Sequence, residues 1–104
     1  MARKRIKIRW TPRGEETLQE VHNYIAKDAP RTARAFTKRL KAKVRLLKDF
    51  PEIGAVVEEL DDPNVREILV PPYRVIYHFD GATVLILAVR HGARLLTRED
   101  IFTE

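Results

Sequence analysis

Residues 65–94 read Val-Arg-Glu-Ile-Leu-Val-Pro-Pro-Tyr-Arg-Val-Ile-Tyr-His-Phe-Asp-Gly-Ala-Thr-Val-Leu-Ile-Leu-Ala-Val-Arg-His-Gly-Ala-Arg, and the alternation inside this stretch decides the fold. Tyr73, Val75, Tyr77 and Phe79 alternate with Arg74, Ile76 and His78. Asp80-Gly81 then interrupts, and Val84 to Val89 resume an apolar run. Side chains of a strand point alternately to its two faces and Asp-Gly suits a tight turn, so the pattern predicts a β-hairpin. Pro71-Pro72 have no amide hydrogens to give to a ladder, so the strand before them must stop there. Three strands are expected, near residues 65–70, 73–79 and 83–91, and the last closes on Arg90, His91 and Arg94.

Upstream, Phe50-Pro51-Glu52-Ile53-Gly54 carries proline and glycine punctuation, and residues 55–64 read as an acidic connection. Before it, Ala33, Phe36, Leu40, Val44 and Leu47 recur at helical spacing, a core stripe nearly five turns long. Asp28-Ala29-Pro30 starts that helix. Thr11-Pro12 starts an earlier one: the threonine hydroxyl can accept an orphan amide, and proline at the first helical position loses no hydrogen bond. Leu18, Val21 and Ile25 then form its stripe, to about Lys27, so the two helices make an antiparallel hairpin. Arg5 to Trp10 alternates cleanly as a half-buried first strand. Thr97 with Asp100 three residues on resembles a capping box for a short terminal helix. The order βααβββ defines an α+β fold, a helix hairpin packed on a mostly antiparallel sheet.

A chain of 104 residues and 12.1 kDa has material for one core, so residues 1–104 are expected to form a single domain. It contains no cysteine, which excludes a disulfide framework and thiolate metal sites. The longest apolar run, Val84 to Val89, is far short of the roughly 20 residues that span a bilayer, and Ile6 to Trp10 is broken by Lys7 and Arg9, so no signal core is present. A cytoplasmic protein is expected. The net charge of +5 favours an anionic partner: nucleic acid, an acidic protein or a nucleoprotein machine. Between Asp28 and Asp49 no acid occurs, while Arg31, Arg34, Lys38, Arg39, Lys41, Lys43, Arg45 and Lys48 do. Residues 49–67 hold seven acids against Arg66 alone.

The chemical inventory is short. There is no glycine-rich phosphate loop and no serine nucleophile motif. His22, His78 and His91 are the imidazoles, and no carboxylate spacing beside them suggests a metal site. Arg74 can cover apolar surface or pair with Glu67 across the sheet. His91 can act as a general acid or base, or be an ordinary solvated residue at a strand end. Tyr73 and Tyr77 can stack on bases, or be core aromatics beside Val75 and Phe79. Glu58 and Glu59 can supply a base or simply solvate an acidic loop. If Asp80-Gly81 is a two-residue turn, Arg74 pairs with Leu87, and His91 lies on the same face about 13 Å further along, too far for a direct dyad.

The order βααβββ, Trp10-Thr11-Pro12 leading into the first helix, Phe50-Pro51 with Gly54 after the second, Tyr73-Arg74-Val75-Ile76-Tyr77 and His91-Gly92-Ala93-Arg94 together resemble the RelE/ParE toxin superfamily, and its ParE-like branch more than its ribonucleases. The resemblance covers nearly the whole chain. It implies a cytoplasmic toxin of a type II toxin-antitoxin system with no cofactor, neutralised by a cognate antitoxin in a hetero-oligomer. ParE-like members poison DNA gyrase, and RelE-like members cut messenger RNA on the ribosome. Under the gyrase reading no residue is catalytic, and Arg74, Arg90, His91, Arg94 and Arg98 contact the target. Under the ribosome reading the resemblance implies that Arg74 holds a phosphate and stabilises its charge, with His91 as the other catalytic residue and Arg94 helping. Ribonuclease members follow the last strand with aromatic and imidazole residues, where this chain has Gly92 and Ala93. A third reading is a module that only pairs with its antitoxin.

Overall fold

The computed structural model describes residues 6–102. Strand β1 (Lys7–Trp10) leads into helix α1 (Pro12–Ala26), then α2 (Pro30–Arg45), which tightens into a 3-10 turn at Leu46–Lys48. A two-residue strand β2 (Ala55–Val56) precedes β3 (Val65–Val70), β4 (Tyr73–Phe79) and β5 (Thr83–His91), and a short helix α3 (Arg98–Phe102) follows. The five strands lie in the order β1-β5-β4-β3-β2, with β1 parallel to β5 and the rest antiparallel. The expected α+β architecture is present, with two differences. The acidic connection contains β2, which pairs Ala55 and Val56 with Glu67 and Arg66. The first strand is regular from Lys7, and Arg5 lies outside the described residues. Among the described residues no helix is long and apolar enough to cross a membrane.

Alternation in β4 sends Tyr73, Val75, Tyr77 and Phe79 under the helices, where they meet Leu18 and Val21 of α1 and Phe36, Leu40 and Val44 of α2. Each such buried side chain contributes roughly 1.5–3 kcal/mol. Ile76, Leu87, Ala88 and Val65 face the other way into a second, smaller core, closed by Val57 and Leu60 from one loop and by Leu96 and Ile101 from the segment after β5. Both faces of the sheet are therefore covered.

The hairpin register differs from the two-residue turn. Asp80 accepts the amides of Ala82 (2.9 Å) and Thr83 (2.8 Å) on its carboxylate, and Gly81 takes φ +100°, so the connection is wider and Phe79 faces Val84. A β-bulge then intervenes: Tyr77 faces Ile86 while Ile76 faces Ala88, leaving Leu87 as the extra residue. As a result Arg74 faces Arg90 and Tyr73 faces His91.

The helix hairpin is fixed to the bulge by hydroxyls. β1 ends opposite Ile86, so beyond it the outer edge of β5 needs other partners. Thr11, the N-cap of α1, donates to the Ile86 carbonyl at 2.8 Å, and the fully buried Thr17 accepts the Val89 amide at 2.9 Å. Thr11 also caps its own helix by accepting the Gly14 amide at 2.9 Å. Gly14 is there because a Cβ would stand 2.3 Å from the Ile86 carbonyl oxygen.

Tyr77 ties the sheet to the turn after α2: its hydroxyl donates to the Pro51 carbonyl (2.8 Å) and accepts the Gly54 amide (3.0 Å). Tyr77→Phe keeps the ring and leaves both buried groups unmatched, so it should lower stability by about 1–3 kcal/mol. Urea unfolding at unchanged slope would report this as a shifted midpoint.

Candidate functional site

Arg74 points to the face away from the helix hairpin and is 6% exposed. Its Nη1 donates to Glu67 Oε1 at 2.9 Å and its Nη2 to Glu59 Oε2 at 2.7 Å; Nη2 also donates to the carbonyl of Arg94. Glu67 reaches it from β3, and Glu59 from the loop that carries Val57 and Leu60. The same Glu59 Oε2 accepts the amide of Leu96 at 3.2 Å. One guanidinium thus joins β4, β3, the acidic loop and the chain beyond β5. Its hydrogen bond holds the Glu59 carboxyl below the ordinary glutamate range, against the opposing pull of burial. The expected pairing of Arg74 with Glu67 is present, and Glu59 is no mere solvated loop residue.

Arg90 lies beside Arg74 on the same face, half-buried, and donates from Nη2 to the Asp100 carbonyl at 3.2 Å. Arg13, from the first turn of α1, donates from Nε to that same carbonyl at 3.1 Å. The Asp100 carboxylate accepts the Thr97 amide at 2.9 Å, as the capping box predicts, and pairs with Arg94 at 3.2 Å. Three arginines therefore converge on Asp100. Burial draws the Arg90 guanidinium below its usual pKa, and the neighbouring charges of Arg94 and Arg13 act the same way. The Nε atoms of Arg74 and Arg90 are buried without a hydrogen-bond partner among the described residues.

The expected cluster of Arg90, His91, Arg94 and Arg98 is split by the sheet. Successive residues of a strand face opposite ways, and His91 ends β5 on the helix side. Its ring stands edge-on to Tyr73 at 5.5 Å, Tyr73 does the same to Phe36 at 5.4 Å, and Nδ1 of His91 accepts the Ala93 amide at 3.2 Å. Arg74 and His91 are separated by the sheet rather than by distance along the strand, which corrects the two-residue-turn register. Arg94 is 57% exposed at its side chain, and Arg98 lies over the Phe102 ring at 4.8 Å. Tyr73 and Tyr77 belong to the helix-side core. His22 shares a hydrogen bond with Thr37 at 2.9 Å, bridging α1 and α2. Among the described residues no group of three or more histidine or acidic side chains is placed to hold a metal ion.

No local pattern signals the contact of Arg13 with Asp100, since 87 positions separate them.

This fold belongs to a known class. The chain is a member of the ParE toxin family of type II toxin-antitoxin systems (parDE), whose pattern matches residues 8–96. Among curated proteins it is 34% identical over 87 residues to Toxin RelE2 of Caulobacter vibrioides, covering 83% of this chain and 94% of that one. Among solved structures it superposes on a chain of the chromosomal ParDE system from P. aeruginosa with a TM-score of 0.70 at 18% identity, covering 83% of this chain and 95% of that one. It also resembles a chain of the RelBE2 toxin-antitoxin complex from Mycobacterium tuberculosis, with a TM-score of 0.55 at 21% identity, covering 84% and 98%.

Proposed function

We propose that this toxin inhibits DNA gyrase by binding, without chemistry of its own, and that a cognate antitoxin neutralises it in a hetero-oligomer. One observation carries the choice of a binding poison: the Arg74 guanidinium, which a phosphoryl-transfer site would need free, is engaged by Glu59, Glu67 and the Arg94 carbonyl. His91, the other group a nuclease would use, lies across the sheet. Gly92 and Ala93 follow it, with no ring to orient a 2'-hydroxyl. Exposed Arg94, Arg98 and His91 then contact the target, while Arg74 and Arg90 hold the segment that presents them. The antitoxin reading is supported by the ParDE and RelBE2 systems from which the similar structures come.

The competing reading, a ribosome-dependent mRNA endonuclease using Arg74 and His91, draws on the name of the 34% identical relative. Induction without antitoxin, followed by assays of double-strand breaks with purified gyrase and of cleavage of ribosome-bound message, separates the two. Gyrase-dependent breaks with intact message are expected. Cut message with unaffected gyrase would overturn the proposal.

A further inference from the structure

Helix α2 carries a second charged feature, distant in sequence from the arginines around Asp100. Arg31, Arg34, Lys38, Lys41, Arg45 and Lys48 recur at intervals of 3, 4, 3, 4 and 3 residues, and all six are exposed. That spacing puts them in one stripe along the helix and its 3-10 turn, over about 25 Å, or one cation per roughly 5 Å. Among the described residues the ion pairs engage Arg13, Arg66, Arg74 and Arg94, and none engages α2. A stabilised solvent-facing helix normally mixes signs to gain i,i+4 pairs; this one gives them up along its whole length.

We propose that this stripe is a docking surface for the phosphate backbone of duplex DNA. A duplex strand bears one charge per about 3.4 Å of axis, a density comparable to the stripe's. Protein interfaces are anchored by buried aromatic and aliphatic side chains, whereas small Ala35 and Ala42 flank most of the stripe and the exposed Leu46 stands only at its C-terminal end, which favours a phosphate backbone over an acidic protein partner. Single strands are held by stacking successive bases on several exposed rings, whereas Phe36, the aromatic residue of α2, is buried in the core and one exposed ring, Phe50, follows the end of the stripe. A contact made to phosphates is independent of base sequence. The choice of DNA over duplex RNA rests on the gyrase reading; binding to a duplex rests on the stripe alone.

The test is fluorescence anisotropy of a labelled 20-base-pair DNA with the full chain, between about 50 and 200 mM salt and without gyrase, so that its failure is separate from failure of gyrase inhibition. Arg34→Gln/Lys38→Gln/Arg45→Gln removes three exposed charges and should weaken binding at least tenfold at low salt. It should also flatten the slope of log affinity against log salt by about 2.7, at 0.9 per phosphate contact. Lys7→Gln/Arg9→Gln/Lys27→Gln removes the same charge elsewhere and should change affinity less than twofold; circular dichroism checks that both variants are folded. Equal losses in the two variants, no DNA binding at 50 mM salt, a duplex RNA bound tenfold tighter, or displacement of DNA by equimolar polyglutamate would each overturn the proposal.

Discussion

Arg74→Ala should destabilise the protein by about 2–4 kcal/mol, a loss at the low end of that for breaking a buried ion pair because Glu59 and Glu67 keep 21% and 19% of their side chains in contact with solvent. The cause is not the attraction lost. Two carboxylates are left facing each other across the space the guanidinium filled, and the Arg94 carbonyl loses its donor. Replacing all three charges together, as Arg74→Met with Glu59→Gln and Glu67→Gln, should therefore recover more than half of the loss. A triple variant no more stable than Arg74→Ala would show that the clamp acts by attraction instead.

The same network sets an acid limit. The Glu59 pKa is lower in the folded chain than in the unfolded one, where it is roughly 4.3. Its contribution to stability is thus fully present above the unfolded value and is lost as pH falls through the folded value. Wild-type stability should decline below about pH 4.3, and Glu59→Gln should remove that part of the decline while being less stable at neutral pH. Urea titrations at several pH values would resolve both effects. Because Arg74 holds the chain beyond β5 by the Arg94 carbonyl, loss of toxicity in Arg74→Ala is interpretable only beside this stability measurement.

Gly14→Ala should be nearly as damaging, at about 3 kcal/mol, the upper end of the usual cost of overpacking. The added carbon would stand 2.3 Å from the Ile86 carbonyl oxygen, and neither partner can turn away. α1 would have to retreat from β5, and with it the hydroxyls of Thr11 and Thr17 that bond to Ile86 and Val89. The prediction would fail if the variant unfolded at the wild-type urea midpoint. The Val89 amide should also exchange faster in the variant, since its acceptor, the Thr17 hydroxyl, sits on α1.

The strands at 65–70, 73–79 and 83–91 were legible because each is bounded by residues with one local meaning: two prolines, an Asp-Gly turn and a glycine. The bulge was not. Val84 to Val89 is apolar throughout, so inserting Leu87 changes which residues face each side without breaking any visible pattern. β2 was hidden for another reason: two residues carry no period, and only pairing with Glu67 and Arg66 makes them a strand. The candidate site suffered from both limits. Arg74 was singled out and its partner Glu67 foreseen, but a three-residue error in register placed His91 on the wrong face. The convergence of Arg13, Arg90 and Arg94 on Asp100 depends on contacts that only the completed fold creates.

The pairing of β1 with β5 also has a bearing on timing. Lys7 finds its partner at Thr83, about 75 residues later, and α1 has no floor until Ile86 and Val89 exist. At roughly 5–20 residues per second, a ribosome needs about 4–15 s between making the first strand and making its neighbour. For that interval the first strand lacks its neighbour and α1 lacks the strand its hydroxyls bond to, so the arginine-rich end is assembled late, once β5 and Asp100 beyond it have emerged.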